Sequence, residues 1–173
     1  TESVRAVAVA GPTGSGKTAL VASLTAAAGG GDSRNGEAPG QSVELSVSTI
    51  DFMGDRYALI DTPGAVDFCA EMDFVLPAVD VALVLADPDP DKAGLIMPFL
   101  KELERLGVPR ALVVNKIDQA HGRVRDLLEA LQPMSETRLV ARQIPIWKDE
   151  HVAGFVDLAL ERGDLPAARR GGA

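Results

Sequence analysis

Gly11-Pro-Thr-Gly-Ser-Gly-Lys-Thr18 is the stretch on which the reading of this chain turns. It follows an apolar, β-branched run, Arg5–Ala10, and opens a helical pattern from about Gly16 to Ala28 with Leu20, Leu24 and Ala27 on one face. The pattern G-x-x-x-x-G-K-[ST] is met letter for letter. Gly11, Gly14 and Gly16, with Pro12, Thr13 and Ser15 between them, let the backbone curl until several N–H groups point inward. The helix that starts there adds the positive end of its dipole. Such a loop cradles phosphate oxygens. Lys17 is placed to reach the β- and γ-phosphates of a nucleotide and to stabilise charge on a transferred phosphoryl group, while the Thr18 hydroxyl suits Mg2+. Lys17 is expected to stay solvent-exposed when no phosphate is bound. A chance glycine-rich turn before a helix is the bland alternative, and the flanking strand and amphipathic helix argue against it. The loop alone does not choose a base, because ATPases, kinases and GTPases share it.

Outward from the loop, Leu59-Ile-Asp-Thr-Pro-Gly64 is an apolar strand that ends in an acid and a turn. Asp61 at that strand end can hold Mg2+ through water, beside Thr18. Thr62, Pro63, Gly64 and Ala65 would line the phosphates, and Gly64 has no side chain to keep its N–H from a γ-phosphate. An ordinary strand-to-loop turn explains Asp-Thr-Pro-Gly equally well when taken alone. Asn115-Lys-Ile-Asp118 closes a second apolar strand, Ala111–Asn115, at the carboxyl edge where ligands of doubly wound sheets bind. The two oxygens of Asp118 match the N1–H and exocyclic amine of guanine. The stem of Lys116 can lie along the base, Ile117 lies between the two, and Asn115 can tie this loop to the phosphate loop. Read in order, the sites point to GTP or GDP.

The rest of the chain fits an α/β domain of the P-loop NTPase type: a mostly parallel, doubly wound sheet with helices on both faces and one antiparallel edge hairpin. Val43–Phe52 alternates, turns at Gly54-Asp55 and returns through Tyr57–Ile60. Val81–Ala86 and Ala111–Asn115 read as buried parallel strands. Between them a helix carries Ile96, Phe99, Leu100, Leu103 and Leu106, with Pro98 near its start. Val124, Leu127, Leu128 and Leu131 mark another helix. Leu139–Ile146 is expected as a last strand, Gly154–Leu160 as strand or helix, and residues 29–42 as a flexible loop. Residues 1–162 are expected to form the nucleotide-binding domain and 163–173 a flexible tail.

The 173 residues, 46% hydrophobic and 24% charged, suit one soluble globular domain. No stretch is long enough to span a bilayer, no signal peptide precedes the first strand, and the missing initiator Met implies a trimmed chain. A single thiol, Cys69, excludes an internal disulfide and suits the cytoplasm. A net charge of −8 disfavours direct DNA binding. Arg123, Arg125, Arg138 and Arg142 are read as solvated surface, and His121 and His151 as surface histidines. The run Asp87-Pro-Asp-Pro-Asp91 is read as an exposed loop. Met72, Phe74, Val75 and Leu76 are read as a core-facing helix.

The wording of the motifs resembles one branch of the GTPases. Asp61-Thr-Pro-Gly-Ala-Val-Asp-Phe68 resembles the Asp-Thr-Pro-Gly-His-Val-Asp-Phe of translational GTPases. Val108-Pro-Arg before the Asn-Lys-Ile-Asp strand is similar to elongation factor G, as are Gln143-Ile-Pro-Ile and Ala153-Gly-Phe-Val-Asp-Leu158. The resemblance runs over about residues 4–162. It implies a Mg2+-dependent GTPase of the elongation factor G type, with the ribosome as partner through further domains. Three departures mark a divergent member. Ala65 stands where the family has the histidine that positions the attacking water. Gln41-Ser-Val-Glu-Leu45 stands where its first switch reads Arg-Gly-Ile-Thr-Ile, so that Glu44 replaces a Mg2+-binding threonine. The last guanine motif, Ser-Ala-Lys or Ser-Ala-Leu, is not found; Ser135-Glu-Thr precedes its strand and reads as a cap or loop. The stretch is expected to stop before that motif. Slow hydrolysis, or a GTP-dependent switch with little turnover, is the consequence.

Overall fold

The computed structural model describes residues 4–29, 33–34, 45–64, 75–120, 123–148, 151–160 and 162–164. In chain order these form β1 (Val4–Ala10), α1 (Lys17–Ala27), β2 (Ser33–Arg34), β3 (Ser46–Phe52), β4 (Asp55–Asp61), β5 (Val81–Ala86), α2 (Met97–Leu106), β6 (Arg110–Val114), α3 (Val124–Leu131), β7 (Gln143–Lys148), β8 (His151–Asp157) and β9 (Arg162–Asp164). The main sheet has the order β2-β3-β4-β1-β5-β6. Strands β4, β1, β5 and β6 are parallel, whereas β3 and β2 add antiparallel at one edge. The doubly wound sheet with its edge hairpin is thus present.

The period-2 alternation of β1 explains the two-sided core. Val7 and Val9 join Val21, Leu59 and Leu85 on the face that receives α1. Ala8 and Ala10 join Phe99, Leu100, Leu103, Leu127 and Leu131 on the face covered by α2 and α3. Alanines on that face let the larger side chains approach the strand closely. Helix α2 has Pro98 in its first turn, where proline is tolerated, and ends at Gly107 in the left-handed region (φ 68) with Arg105 in the last turn. A 3₁₀ stretch, Pro90–Ile96, leads into it.

Several expectations shift. The hairpin turn is Met53-Gly54, one residue earlier than read, with positive φ at both positions as two-residue turns favour. Within the expected flexible loop, Ser33–Arg34 pair with β3; its remaining residues beyond 29 lie outside the described ones. The strand expected over Leu139–Ile146 runs instead over Gln143–Lys148, in a separate antiparallel sheet β7-β8-β9. The reason is a carboxamide: Gln132 accepts from Leu139 N at 2.9 Å and donates to Thr137 O at 3.2 Å, folding 132–139 into a loop. Gly154–Leu160, open between strand and helix, is strand as far as Asp157. The run Asp87–Asp91, expected as exposed, has Asp87, Asp89 and Pro90 half-buried, Pro88 buried and Asp91 exposed. Its carboxylates are engaged locally: Asp89 caps the 3₁₀ stretch at Asp91 N, and Asp87 pairs with Lys92.

Leu76 is fully buried in the core and Val75 packs beside it, whereas Met72 and Phe74 lie outside the described residues. Cys69, His121 and residues 165–173 also lie outside them. His151 is exposed.

Candidate nucleotide-binding site

The carboxyl ends of β1, β4 and β6 fall on one edge of the sheet, and each carries one of the three motifs. The loop after β1 stands where the strand order reverses, with the sequentially later β4 and β5 on either side of β1. That is the crevice where open α/β sheets take their ligands.

Helix α1 begins from Gly16 in the left-handed region, with no side-chain cap and no acid in its first turn. The N–H groups of Gly16 and Lys17 and the helix dipole are therefore left for an anion. Gly11 could be no other residue: its φ is 146°, and a Cβ there would stand 2.8 Å from Leu85 O. Ser15 is buried and its Oγ has no partner. Thr13 and Gly14 are exposed, and Pro12 is half-buried.

Lys17 overturns the expectation of exposure. Only 7% of it is accessible, and Nζ donates to Gly11 O at 2.9 Å and Pro12 O at 3.2 Å. The loop carbonyls are acceptors that attract the ammonium inward. Burial lowers its pKa below the ordinary 10.5, with the Asp61 charge acting the other way.

Asp61 is 1% exposed. Thr18 Oγ1 donates to its Oδ2 at 2.6 Å, while Oδ1 is buried without a partner. An orphaned carboxylate oxygen beside a hydroxyl is a hard-oxygen pair suited to a small divalent cation that keeps several waters. Among the described residues no three His, Cys, Asp or Glu side chains gather into a metal cage, so phosphate and water oxygens would complete such a shell. Thr62 is fully buried and its hydroxyl donates to Val9 O at 2.9 Å, bracing β4 against β1. Pro63 is buried beside it, and Gly64 lies over the phosphate loop. Ala65 lies outside the described residues, as does Glu44.

The third motif is braced to the first. Asn115 Nδ2 donates to Ser15 O at 2.8 Å and Lys116 Nζ to Gly14 O at 2.6 Å. Lys116 takes a left-handed backbone (φ 53) that opens the short 3₁₀ turn Ile117–Gln119. Ile117 is half-buried. Asp118 is exposed and enters no hydrogen bond or ion pair among the described residues. The Gly11–Thr18 loop, Asp61 and the Asn115–Asp118 loop thus share one sheet edge, and the match to the family described as Elongation factor Tu GTP binding domain, over residues 2–155, decides which family this is. The chain belongs to that family. It is a divergent translational GTPase domain, a GTP-binding domain of the translation elongation factor kind.

Relatives agree with this assignment. An elongation factor G-like protein of Synechocystis is 32% identical over 93% of the chain and 26% of its own length. One from Mycobacterium tuberculosis is 30% identical over 82% of the chain and 22% of its own length. The mitochondrial ribosome-releasing factor 2 of Danio rerio is 29% identical over 69% of the chain and 16% of its own length. A solved structure from Thermus thermophilus superposes with a TM-score of 0.75 at 30% identity, over 91% of the chain and 26% of that protein. The chain therefore spans about a quarter or less of the length of these relatives.

In this GTP-binding domain, two site contacts escaped the sequence reading: the Thr13 hydroxyl donates to Gly64 O at 2.9 Å, and the Lys116 ammonium goes to Gly14 rather than lying free along a base. Neither leaves a sequence signal, because both are set by loop approach across 51 and 102 positions. A groove of about 1240 Å³ lies elsewhere, along β6, α3 and the second sheet. Its lining is mainly aliphatic, with Leu112, Leu127, Leu131 and Leu139, and size alone would have misplaced the site. The arginines expected as solvated surface include three that pair locally, Arg123 with Asp126, Arg125 with Glu129 and Arg142 with Asp157.

Proposed function

We propose that this chain binds GDP and GTP with Mg2+, and in isolation hydrolyses GTP to GDP and phosphate slowly, as the nucleotide-binding part of an elongation factor G-like protein. One observation carries the reading: the Asn115 and Lys116 side chains bond the phosphate loop directly, at Ser15 O and Gly14 O. A ligand whose phosphates sit in that loop therefore has its base delivered to the exposed Asp118 carboxylate. That carboxylate accepts from both N1–H and the exocyclic amine of guanine. Adenine offers an acceptor and a misplaced amine there.

Gly11, Pro12, Thr13, Gly14, Ser15 and Gly16 form the cradle, and the backbone N–H groups at its floor hold the phosphate chain. Lys17 turns from the loop carbonyls towards the phosphates and is the catalytic cation. Thr62 and Pro63 fix the turn that carries Gly64 and Ala65 to the phosphates. Thr18 and Asp61 would hold Mg2+, which when bound neutralises charge on the phosphates.

A second reading, a GTP-dependent switch with little turnover, draws on Ala65, which can neither donate nor accept towards a water, and on Glu44 in the first switch. The translation-factor relatives motivate the ribosome as a partner reached through other parts of a longer protein, and a cytoplasmic location with it. No described helix is long and apolar enough to cross a membrane. The net charge of −8 gives no reason to expect DNA binding.

Calorimetric titration with GTP, GDP and ATP in Mg2+, followed by a phosphate-release assay, tests both readings. Guanine-selective binding with slow release is expected. ATP binding as tight as GTP would overturn the base assignment, and binding without release would favour the switch.

A further inference from the structure

The rim and the floor of the phosphate loop differ in what they leave open. At the floor, the N–H groups of Gly14, Gly16 and Lys17 donate to no acceptor among the described residues. At the rim, Thr13 is exposed and its hydroxyl donates to Gly64 O at 2.9 Å. Gly64 is drawn hard against the loop: a Cβ on it would stand 2.7 Å from Lys17 Nζ, 2.8 Å from Thr13 N and 2.9 Å from Thr13 Cα. The Gly64 backbone therefore lies directly in front of the Thr13 amide and the Lys17 ammonium. That ammonium is itself engaged by the Gly11 and Pro12 carbonyls.

In a loop of this kind the backbone N–H groups cradle the α- and β-phosphates, and the lysine reaches the β- and γ-phosphates. A diphosphate can occupy the open floor with Gly64 where it is. A third phosphate needs the space in front of Lys17 and Thr13 that Gly64 covers. We propose that Thr13 is a specificity-determining residue for phosphate number: its hydroxyl latches Gly64 over the third-phosphate position, so that the chain favours GDP over GTP. The inference rests on the guanine-nucleotide reading above and adds the discrimination within it. The latch is one neutral, exposed hydrogen bond. Its net worth, about 0.5–1.5 kcal/mol, corresponds to roughly two- to tenfold in an equilibrium constant.

The test compares unmodified chain, Thr13→Val and Thr13→Ser by calorimetric titration with GDP and with a non-hydrolysable GTP analogue, both in Mg2+. Valine keeps the shape and loses the hydroxyl; serine keeps the hydroxyl. The unmodified chain is expected to prefer GDP. Thr13→Val is expected to raise the ratio of GTP-analogue to GDP affinity two- to tenfold, and Thr13→Ser to return it to the unmodified value. A merely structural role for Thr13 would move both affinities together. An unchanged ratio in Thr13→Val, or an unmodified chain that prefers the GTP analogue, would overturn the latch while leaving nucleotide binding intact. Failure of the unmodified chain to bind either nucleotide would overturn the guanine-nucleotide reading and the latch with it.

Discussion

Asp118 and Lys17 are opposite cases at the scale of a residue. Asp118 is exposed and unpartnered among the described residues, so its carboxylate is available to a base without first breaking anything. In Asp118→Asn one acceptor oxygen becomes a donor facing guanine's own donors. Guanine nucleotide affinity should fall by about 1–3 kcal/mol, the cost of a mispaired polar group, whereas a xanthine nucleotide, with a carbonyl there, should gain. Calorimetry with GDP and xanthosine diphosphate reads both directions at once, and equal losses for the two bases would count against Asp118 as the base reader. Lys17 is buried and already bonded to two carbonyls. Lys17→Ala therefore disturbs the loop as well as the ligand. It should weaken GTP by about 1.5–3 kcal/mol or more, the scale of a lost charge-assisted hydrogen bond, and lower the melting temperature too. Unchanged GTP affinity by fluorescence titration would remove Lys17 from the site.

Elements show where sequence was enough and where it was not. β1 and β5 were legible as apolar runs, and α2 and α3 by the periodic apolar faces they bury. α1 and the β3–β4 hairpin were legible by the glycine-bounded pattern around them, since α1 buries Lys17, Val21 and Thr25 with Ala27 exposed, and β3 leaves Val47 and Phe52 exposed. The second sheet was not legible. Gln143-Ile-Pro-Ile146 reads as an apolar strand wherever it lies, and its departure from the main sheet is set by Gln132 binding Leu139 and Thr137 at the turn before it. At the end of that sheet where β7 begins, Arg142 holds Asp157 at 3.0 Å, and Asp157 Oδ1 accepts from Ala159 N and Leu160 N. Burial would raise the Asp157 pKa. The Arg142 hydrogen bond and the two backbone N–H groups outweigh it, and the pKa ends below the ordinary 3.8. A depressed carboxylate stabilises the fold above its unfolded-state pKa, and that contribution is lost as pH falls through the lower, folded-state value. Asp157→Asn should therefore melt earlier than the unmodified chain at pH 7, with the gap narrowing as the pH falls below about 4. A gap that stays constant down to pH 2, measured by circular dichroism melts, would show that the carboxylate charge contributes nothing to holding the sheet.

At the scale of the whole molecule, the site was readable because three short motifs each end a strand on one sheet edge, and the bonds from Asn115 and Lys116 to the phosphate loop join them. The self-engagement of the loop was not readable. The inward turn of Lys17 and the Thr13–Gly64 bond each end on a backbone carbonyl, and no residue type marks which carbonyl the fold brings within reach. Turnover depends on how distant parts of the chain act together. In-line attack on a γ-phosphate needs a held water, and a positioned polar side chain contributes about 10²–10⁴-fold to the rate. Ala65 has no such group. Asp67 and Glu71 follow it in sequence, but a carboxylate near the γ-phosphate meets like-charge repulsion. Hydrolysis by the unmodified chain is therefore expected to be very slow. Ala65→His restores a water-holding group but not the threonine that Glu44 replaces, so the single change should do little alone. Ala65→His with Glu44→Thr should raise the rate by more than the two single effects combined, because positioning a water and closing a switch over the phosphates serve the same step. Single-turnover phosphate release from all four chains measures this. Fast release by the unmodified chain would mean that another residue positions the water, and additive effects of the two changes would mean that these positions do not cooperate.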